Sequence, residues 1–446
     1  MKAGDTTRTE LSAEELSGPL STVQRAEIYL ARQPIFDAYR QVHGYELLYR
    51  ASAENRFTAT EGDRATSAVI ARTFLSLGLD NVTGGKLAFI NFPRQLILDD
   101  VAAALPHDRV AIEILEDVEP DAELLAAVQR LKGNGYTVAL DDFVLLRPEY
   151  EPLLALADVV KVDWRASDAK SREAIARRFA KHGPNLLAEK VETDAEFQRA
   201  VELGYRYFQG FFFARPQMVS AREVPAFKLN YLRLLKVIQA PRLDFDAIER
   251  IVKTESTLLH WVLKRVNSAA FGFRARINSI RQALVALGEN ELRRWVSVFC
   301  IAGMGEDRPQ ELLVQSFVRA YLCEELACRS LLARHKTDAF LVGMLSLLDA
   351  VLGRPLTELV DELPLSSEAR GALLDSTGPL APLLACTVAY ERADWAQVAQ
   401  QAQQFRLEVG EVSAGYFEAL ALAREVFGDV PEARLPARVA LTRGRK

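Results

Sequence analysis

The chain has 446 residues, enough for two or three domains, and its 49% hydrophobic and 26% charged content is that of an ordinary globular protein. A net charge of −5 at pH 7 gives no global attraction to nucleic acid or to an anionic membrane. No stretch approaches the roughly 18 consecutive apolar residues of a membrane-spanning helix, and the N-terminus lacks the apolar centre of a secretory signal, so a cytoplasmic location is expected. Residues 1–26, charged and rich in Ser and Thr, read as a disordered leader. Cys300, Cys323, Cys328 and Cys386 match no common zinc spacing and read as free, mostly buried thiols.

Residues 27–216 alternate short apolar runs with helix-like stretches. IYLARQPIF and VHGYELLYR are separated only by a turn-prone segment, so this first pair is expected to be antiparallel. A helix over Glu61–Leu77 and a strand over Leu87–Phe92 follow, then a helical piece from Arg94 to Leu105 and a strand over Val110–Leu115. The helix Asp121–Lys132 stops at Gly-Asn-Gly and leads into the strand of YTVALDDF. Beyond it come a short helix at Tyr150–Ala157, strand Asp158–Asp163, helix Asp168–His182, strand Asn185–Glu189, helix Asp194–Leu203 and strand Tyr205–Phe213. This alternation predicts an α/β TIM-like (β/α) barrel with an antiparallel first strand. Residues 217–227 read as a linker. From 228 to 428 every periodic stretch is helical and none is followed by a strand, which predicts an all-α helical domain, with a frayed tail at 429–446.

Many of the barrel strands present a polar residue near the end of the apolar run: Glu46, Asn91, Glu113, Asp141 with Asp142, Lys161 with Asp163, Glu189 and Gln209. Any one could be a turn or cap residue. As a set they describe a barrel rim carrying hard oxygen ligands, suited to Mg²⁺ or Mn²⁺ rather than zinc. Asp142 beside Asp141 could let a second ion share a bridging carboxylate, and two ions together activate water against a phosphoryl group. Arg50 can fork onto a phosphate, Lys161 could orient the attacking water and Glu189 could accept its proton. His43 and His107 read as surface-loop residues.

These motifs resemble the EAL domain of bacterial cyclic di-GMP phosphodiesterases. QPIF, GYELLYR, INF, IEILE, ALDDF, VVKVD, AEKVET and FQGFFFARP occur in family order across residues 28–216. The resemblance implies that Glu46, Asn91, Glu113 and Asp141 hold a metal, with Asp142 and Asp163 near a second ion. It implies Glu189 as general base, Lys161 as catalytic lysine, Gln209 as a site glutamine, and Gln33 and Arg50 as contacts to the dinucleotide. Two departures stand out. The family's glycine- and serine-rich loop after the aspartate pair is replaced by Val144-Leu145-Leu146-Arg147-Pro148, and Lys190 stands where glycine is usual. Glu192, which supports that loop in the family, remains.

The second half is similar to the HDOD domain, a relative of the HD phosphohydrolases, through ESTLLHWVLKRVNSAAFG and INSIRQALVALGENELRRWV. Its only histidines, His260 and His335, are not followed by Asp, so an HD-type metal site cannot be assembled and a docking or regulatory module is expected. Phe271-Gly272-Phe273, flanked by Arg274 and Arg276, reads either as a partner-binding loop or as a plug in the helical core. The expected function is metal-dependent hydrolysis of cyclic di-GMP to pGpG, coupled to a protein partner through the helical domain, with a homodimer left open. The alternative is a catalytically weak barrel that senses the nucleotide or acts as a scaffold.

Overall fold

The computed structural model describes residues 29–50, 79–141, 148–180, 183–214, 226–240, 242–254 and 280–427, with 262, 263, 266, 267 and 277 between the last two spans. The leader, the expected helix at 61–77, Asp142 and the loop at 144–147, the linker to residue 225, most of Leu258–Val266, the Phe271–Arg276 loop and the tail lie outside the described residues.

Eight strands close a barrel in chain order. They are β1 Tyr29–Asp37, β2 Val42–Arg50, β3 Leu87–Asn91, β4 Val110–Ile114, β5 Thr137–Leu140, β6 Val159–Asp163, β7 Asn185–Glu189 and β8 Tyr207–Gln209. β1 is antiparallel to both β2 and β8, and the remaining pairs are parallel. The reversal follows from the short connection: the Asp37 carboxylate accepts from the Tyr39 and Gln41 amides at 2.8 and 2.9 Å, a turn too tight for a crossover helix.

One buried layer plugs the barrel: Ile35, Phe89, Ala111, Ala139, Val159, Leu187 and Tyr207. Residues two apart on a strand share a face. Moving two positions along each parallel strand from this layer therefore gives Asn91, Glu113, Asp141, Lys161, Glu189 and Gln209 on the same inward face. On the reversed β1 the step runs backwards, from Ile35 to Gln33. Gly44 makes room for the plug, because a Cβ there would meet the Leu87 carbonyl at 2.6 Å and the Phe89 ring at 3.0 Å.

The described barrel helices are α1 Leu79–Thr83, α2 Arg94–Leu98, α3 Ala122–Gly133, α4 Glu151–Leu154, α5 Ala169–Phe179 and α6 Asp194–Glu202. Asp121, Asp168 and Thr193 cap α3, α5 and α6, the last through a capping box with Glu196. The piece expected over Arg94–Leu105 breaks where Asp100 turns left-handed, and continues as a 3₁₀ turn at Val101–Ala104. The last strand is shorter than the expected Tyr205–Phe213, because Gly210 at φ 141° ends it and Phe211–Ala214 coils into another 3₁₀ turn.

The second half is helical: α7 Ala226–Gln239, α8 Phe245–Thr254, α9 Ile280–Met304, α10 Gln310–Arg329, α11 Lys336–Leu345, α12 Leu348–Leu352, α13 Leu356–Asp361, α14 Ser367–Leu374, α15 Ala381–Glu391, α16 Trp395–Gln404 and α17 Val409–Phe427. α9 is broken at Gly288, whose φ of 73° no helix allows. No described helix is long and apolar enough to cross a membrane. The helical domain packs against β1 and β2 through a buried seam. The fully buried Tyr390 donates from its hydroxyl to the Leu30 carbonyl at 3.1 Å. Tyr45 donates to Glu311 at 2.8 Å, and Arg32 lies 3.4 Å from the same carboxylate while stacking over the Tyr45 ring.

Candidate active site

The barrel strands bring eight of the expected residues into one largely buried cluster. The Lys161 side chain is fully buried, and its Nζ lies 2.7 Å from Asp141 Oδ1, 2.9 Å from Glu189 Oε1, 3.0 Å from Glu113 Oε1 and 3.4 Å from Glu46 Oε1. Asn91 Nδ2 approaches Glu46 Oε1 at 3.4 Å. Gln209 donates to the other Glu46 oxygen and, at 3.1 Å, to Gln33 Oε1.

Four carboxylates face a single ammonium, so negative charge is left over in a largely buried site. Burial alone would depress the Lys161 ammonium, but the carboxylates outweigh it, Glu113 foremost, and hold its pKa well above the usual lysine value. Burial pushes Glu113 well above the carboxylate range despite the pull of Lys161. Burial likewise raises Glu189 to about 8, opposed by Lys161 and reinforced by Asp141 and Glu46.

The donor set fits a divalent cation. Glu46, Glu113 and Asp141 each bring a carboxylate oxygen within 4.8 Å of the others, the one such group among the described residues. Asn91 Oδ1, both Glu113 oxygens, Asp141 Oδ1 and Glu189 Oε2 are buried with no hydrogen-bond donor, and Lys161 lies within ion-pair distance of two of them, Glu113 Oε1 and Asp141 Oδ1. Buried acceptors without donors are costly, and a hard cation satisfies such oxygens.

Asp163 is placed differently. Its carboxylate accepts from the Arg165 and Ala166 amides at 2.7 and 2.9 Å and from the Lys190 ammonium. These contacts lower its pKa against the raising effect of burial. Lys190 adopts φ 53°, a left-handed conformation that explains why glycine suits this position. Glu192 pairs with Arg165. Asp142 and the Arg50 side chain lie outside the described residues.

His107 is in an exposed turn, as expected. His43 is not on a loop: it sits in β2, half-buried, and stacks on Tyr207 with ring centroids 4.2 Å apart, and burial lowers its pKa. It is the bulge residue of β2, between Val42, opposite Phe36, and Gly44, opposite Ile35. Sequence reasoning missed the contribution of the helical domain, whose Arg319, Leu347, Val388 and Arg392 line the mouth of the cluster. No motif near these residues points to a barrel more than a hundred positions away.

The chain matches the EAL domain family over residues 19–216 and the HDOD domain family over residues 224–359. It is 36% identical over 401 residues to the cyclic di-GMP phosphodiesterase CdgJ of Vibrio cholerae serotype O1, covering 89% of this chain and 93% of that one. It is 34% identical over 400 residues to the uncharacterized protein YuxH of Bacillus subtilis, covering 88% and 97%. An EAL domain protein from Listeria monocytogenes EGD-e superimposes with TM-score 0.34 at 22% identity, over 43% of this chain and 89% of that one.

Proposed function

Because this chain belongs to the family of proteins that join an EAL domain to an HDOD domain, we propose that its barrel is a divalent-metal-dependent phosphodiesterase that opens cyclic di-GMP to linear pGpG. The observation that carries the reading is the set of buried, donor-less oxygens converging from four strands on Lys161.

In this reading Glu46, Asn91, Glu113 and Asp141 hold Mg²⁺ or Mn²⁺, with Asp142 and Asp163 the candidates beside a second ion. The cation supplies neutralisation of phosphodiester charge and acidification of water. Lys161, fixed at the centre of the carboxylates, steadies charge developing on the phosphoryl oxygens. Glu189, beside Lys161 and the proposed metal ligands, is placed to take a proton from the attacking water. Gln209 holds Glu46 and Gln33 in register, and Gln33 and Arg50 contact the nucleotide. The helical domain carries the interaction with a protein partner.

A second reading, a nucleotide sensor of weak turnover, draws on the Lys190–Asp163 pair, which engages a carboxylate that a second ion would need. Purified full-length protein incubated with cyclic di-GMP and Mg²⁺ or Mn²⁺, followed by chromatography for pGpG and by binding calorimetry, decides between them. Binding without product supports the sensor, and neither binding nor product overturns both readings.

A further inference from the structure

The carboxylate cluster opens into a cavity of about 800 Å³ whose floor is barrel and whose far wall is the helical domain. That volume falls within the range of a ligand pocket. Four cations stand around it: Arg165, Lys190, Arg319 and Arg392. Three are committed to carboxylates, Arg165 to Glu192, Lys190 to Asp163 and Arg319 to Glu391. Arg392 has no carboxylate within ion-pair distance among the described residues. Its guanidinium carbon lies 5.1 Å from the centre of the Phe211 ring, two residues beyond Gln209.

Arg392 also stands on a rigid footing. It follows Tyr390, bonded to the Leu30 carbonyl, and Glu391, clamped by Arg319. Its position at the C-terminal end of α15 favours a cation on its own account, but that does not require a side chain lying over a barrel aromatic at a cavity mouth. A guanidinium stacked on one ring keeps its other face and its edge free. The edge forks onto a phosphate or onto guanine O6 and N7, and the face takes a stacked base.

We propose that Arg392 of the helical domain is a nucleotide-binding residue of the barrel, contacting a phosphate or a base of cyclic di-GMP held in this cavity. The inference rests on the phosphodiesterase reading above. The helical domain is thereby part of the substrate site, and the negatively charged floor is balanced for an anionic ligand by a cation from another domain.

The test uses the full chain with Glu189→Gln as background, so that nucleotide stays intact, and titrates cyclic di-GMP calorimetrically in the presence of Mn²⁺. Arg392→Ala is expected to weaken binding about 10- to 100-fold, the scale of one lost charge-assisted contact. Arg392→Lys, which keeps charge but not the fork, is expected to fall between. Mn²⁺ affinity and melting temperature should not move, because Arg392 is exposed and touches no proposed metal ligand. Equal nucleotide affinity in the Arg392→Ala protein overturns the proposal and leaves the phosphodiesterase reading standing. A weakening matched by equal loss of Mn²⁺ affinity also overturns it, as a general disturbance of the site. Absence of nucleotide binding and turnover in the unsubstituted protein overturns both.

Discussion

Arg319 and Glu391 form a doubly bridged, largely buried pair where the helical domain faces the barrel, with Nε 3.0 Å from both carboxylate oxygens and Nη2 2.7 Å from Oε2. Both side chains are less than a tenth exposed. Arg319→Ala leaves Glu391 buried without its partner and is expected to cost about 3–5 kcal/mol in urea unfolding. Replacing both residues by leucine should recover much of that loss, since the uncompensated charge is then gone. A double variant no more stable than Arg319→Ala would count against this account.

The proposed metal ligand Glu113 has the Lys161 ammonium as its ion-pair partner, and both its oxygens lack aligned hydrogen-bond donors. Glu113→Gln is therefore expected to weaken Mn²⁺ binding by calorimetry while the far-ultraviolet circular dichroism stays native. Unchanged ion affinity would remove Glu113 from the ligand set.

Glu189→Gln keeps size and polarity but cannot accept the proton of water. Turnover of cyclic di-GMP is expected to fall about 10²–10⁴-fold, the scale of a positioned general base, with nucleotide binding retained. Residual product at the wild-type rate would show that another group does this work.

Gly210 sits at φ 141°, and a Cβ there would lie 2.0 Å from the Val191 carbonyl oxygen. Gly210→Ala must push apart the ends of β7 and β8, which carry Glu189 and Gln209. Turnover and melting temperature should fall together. An alanine variant with wild-type values of both would mean that the turn adapts without moving the site.

Glu311, at the seam between the domains, has its pKa raised by burial, with Arg32 and the Tyr45 hydroxyl pulling it partly back. A carboxyl that binds its proton more tightly in the folded chain contributes stability that is full below its unfolded pKa of roughly 4.5 and is lost as pH rises through the folded value. Wild-type stability should therefore decline more steeply on raising pH above 4.5 than that of Glu311→Gln, whatever the offset between the two curves. Parallel curves in denaturant titrations at several pH values would refute the assignment.

The barrel was legible because its strands obey period two and end in polar residues. Ala111 then Glu113, and Val159 then Lys161, encode both the plug and the site in a single alternation. The antiparallel start was legible from the shortness of the link after Asp37. Element ends were less so: nothing in the periodicity of FQGFFF stops β8 at Gln209, since the stop comes from the backbone of Gly210 against Val191. In the helical domain α10 ends at Arg329, where Ser330 turns extended, and the helical run from Lys336 to Leu352 breaks between Leu345 and Leu348. Leu356–Asp361 is helical behind Pro355, a short element that carries too few turns to show a period. Arg392 was invisible for a different reason. Its relation to Phe211 is purely spatial, and no local pattern records which surface a helix end will face.

Tyr390, Glu391 and Arg392 are consecutive, so the anchor to the first strand, the clamp on α10 and the cavity-facing guanidinium move as one piece. Any effector that tilts α15 shifts all three, and whatever occupies the cavity favours or opposes the tilt by the same free energy that the tilt adds to or takes from its own binding. The coupling is reciprocal by thermodynamic necessity: an effector that tightens nucleotide binding tenfold is itself held tenfold more tightly when nucleotide is present, a coupling of about 1.4 kcal/mol. The concentration of the small molecule would thus set the occupancy of the large one as surely as the reverse.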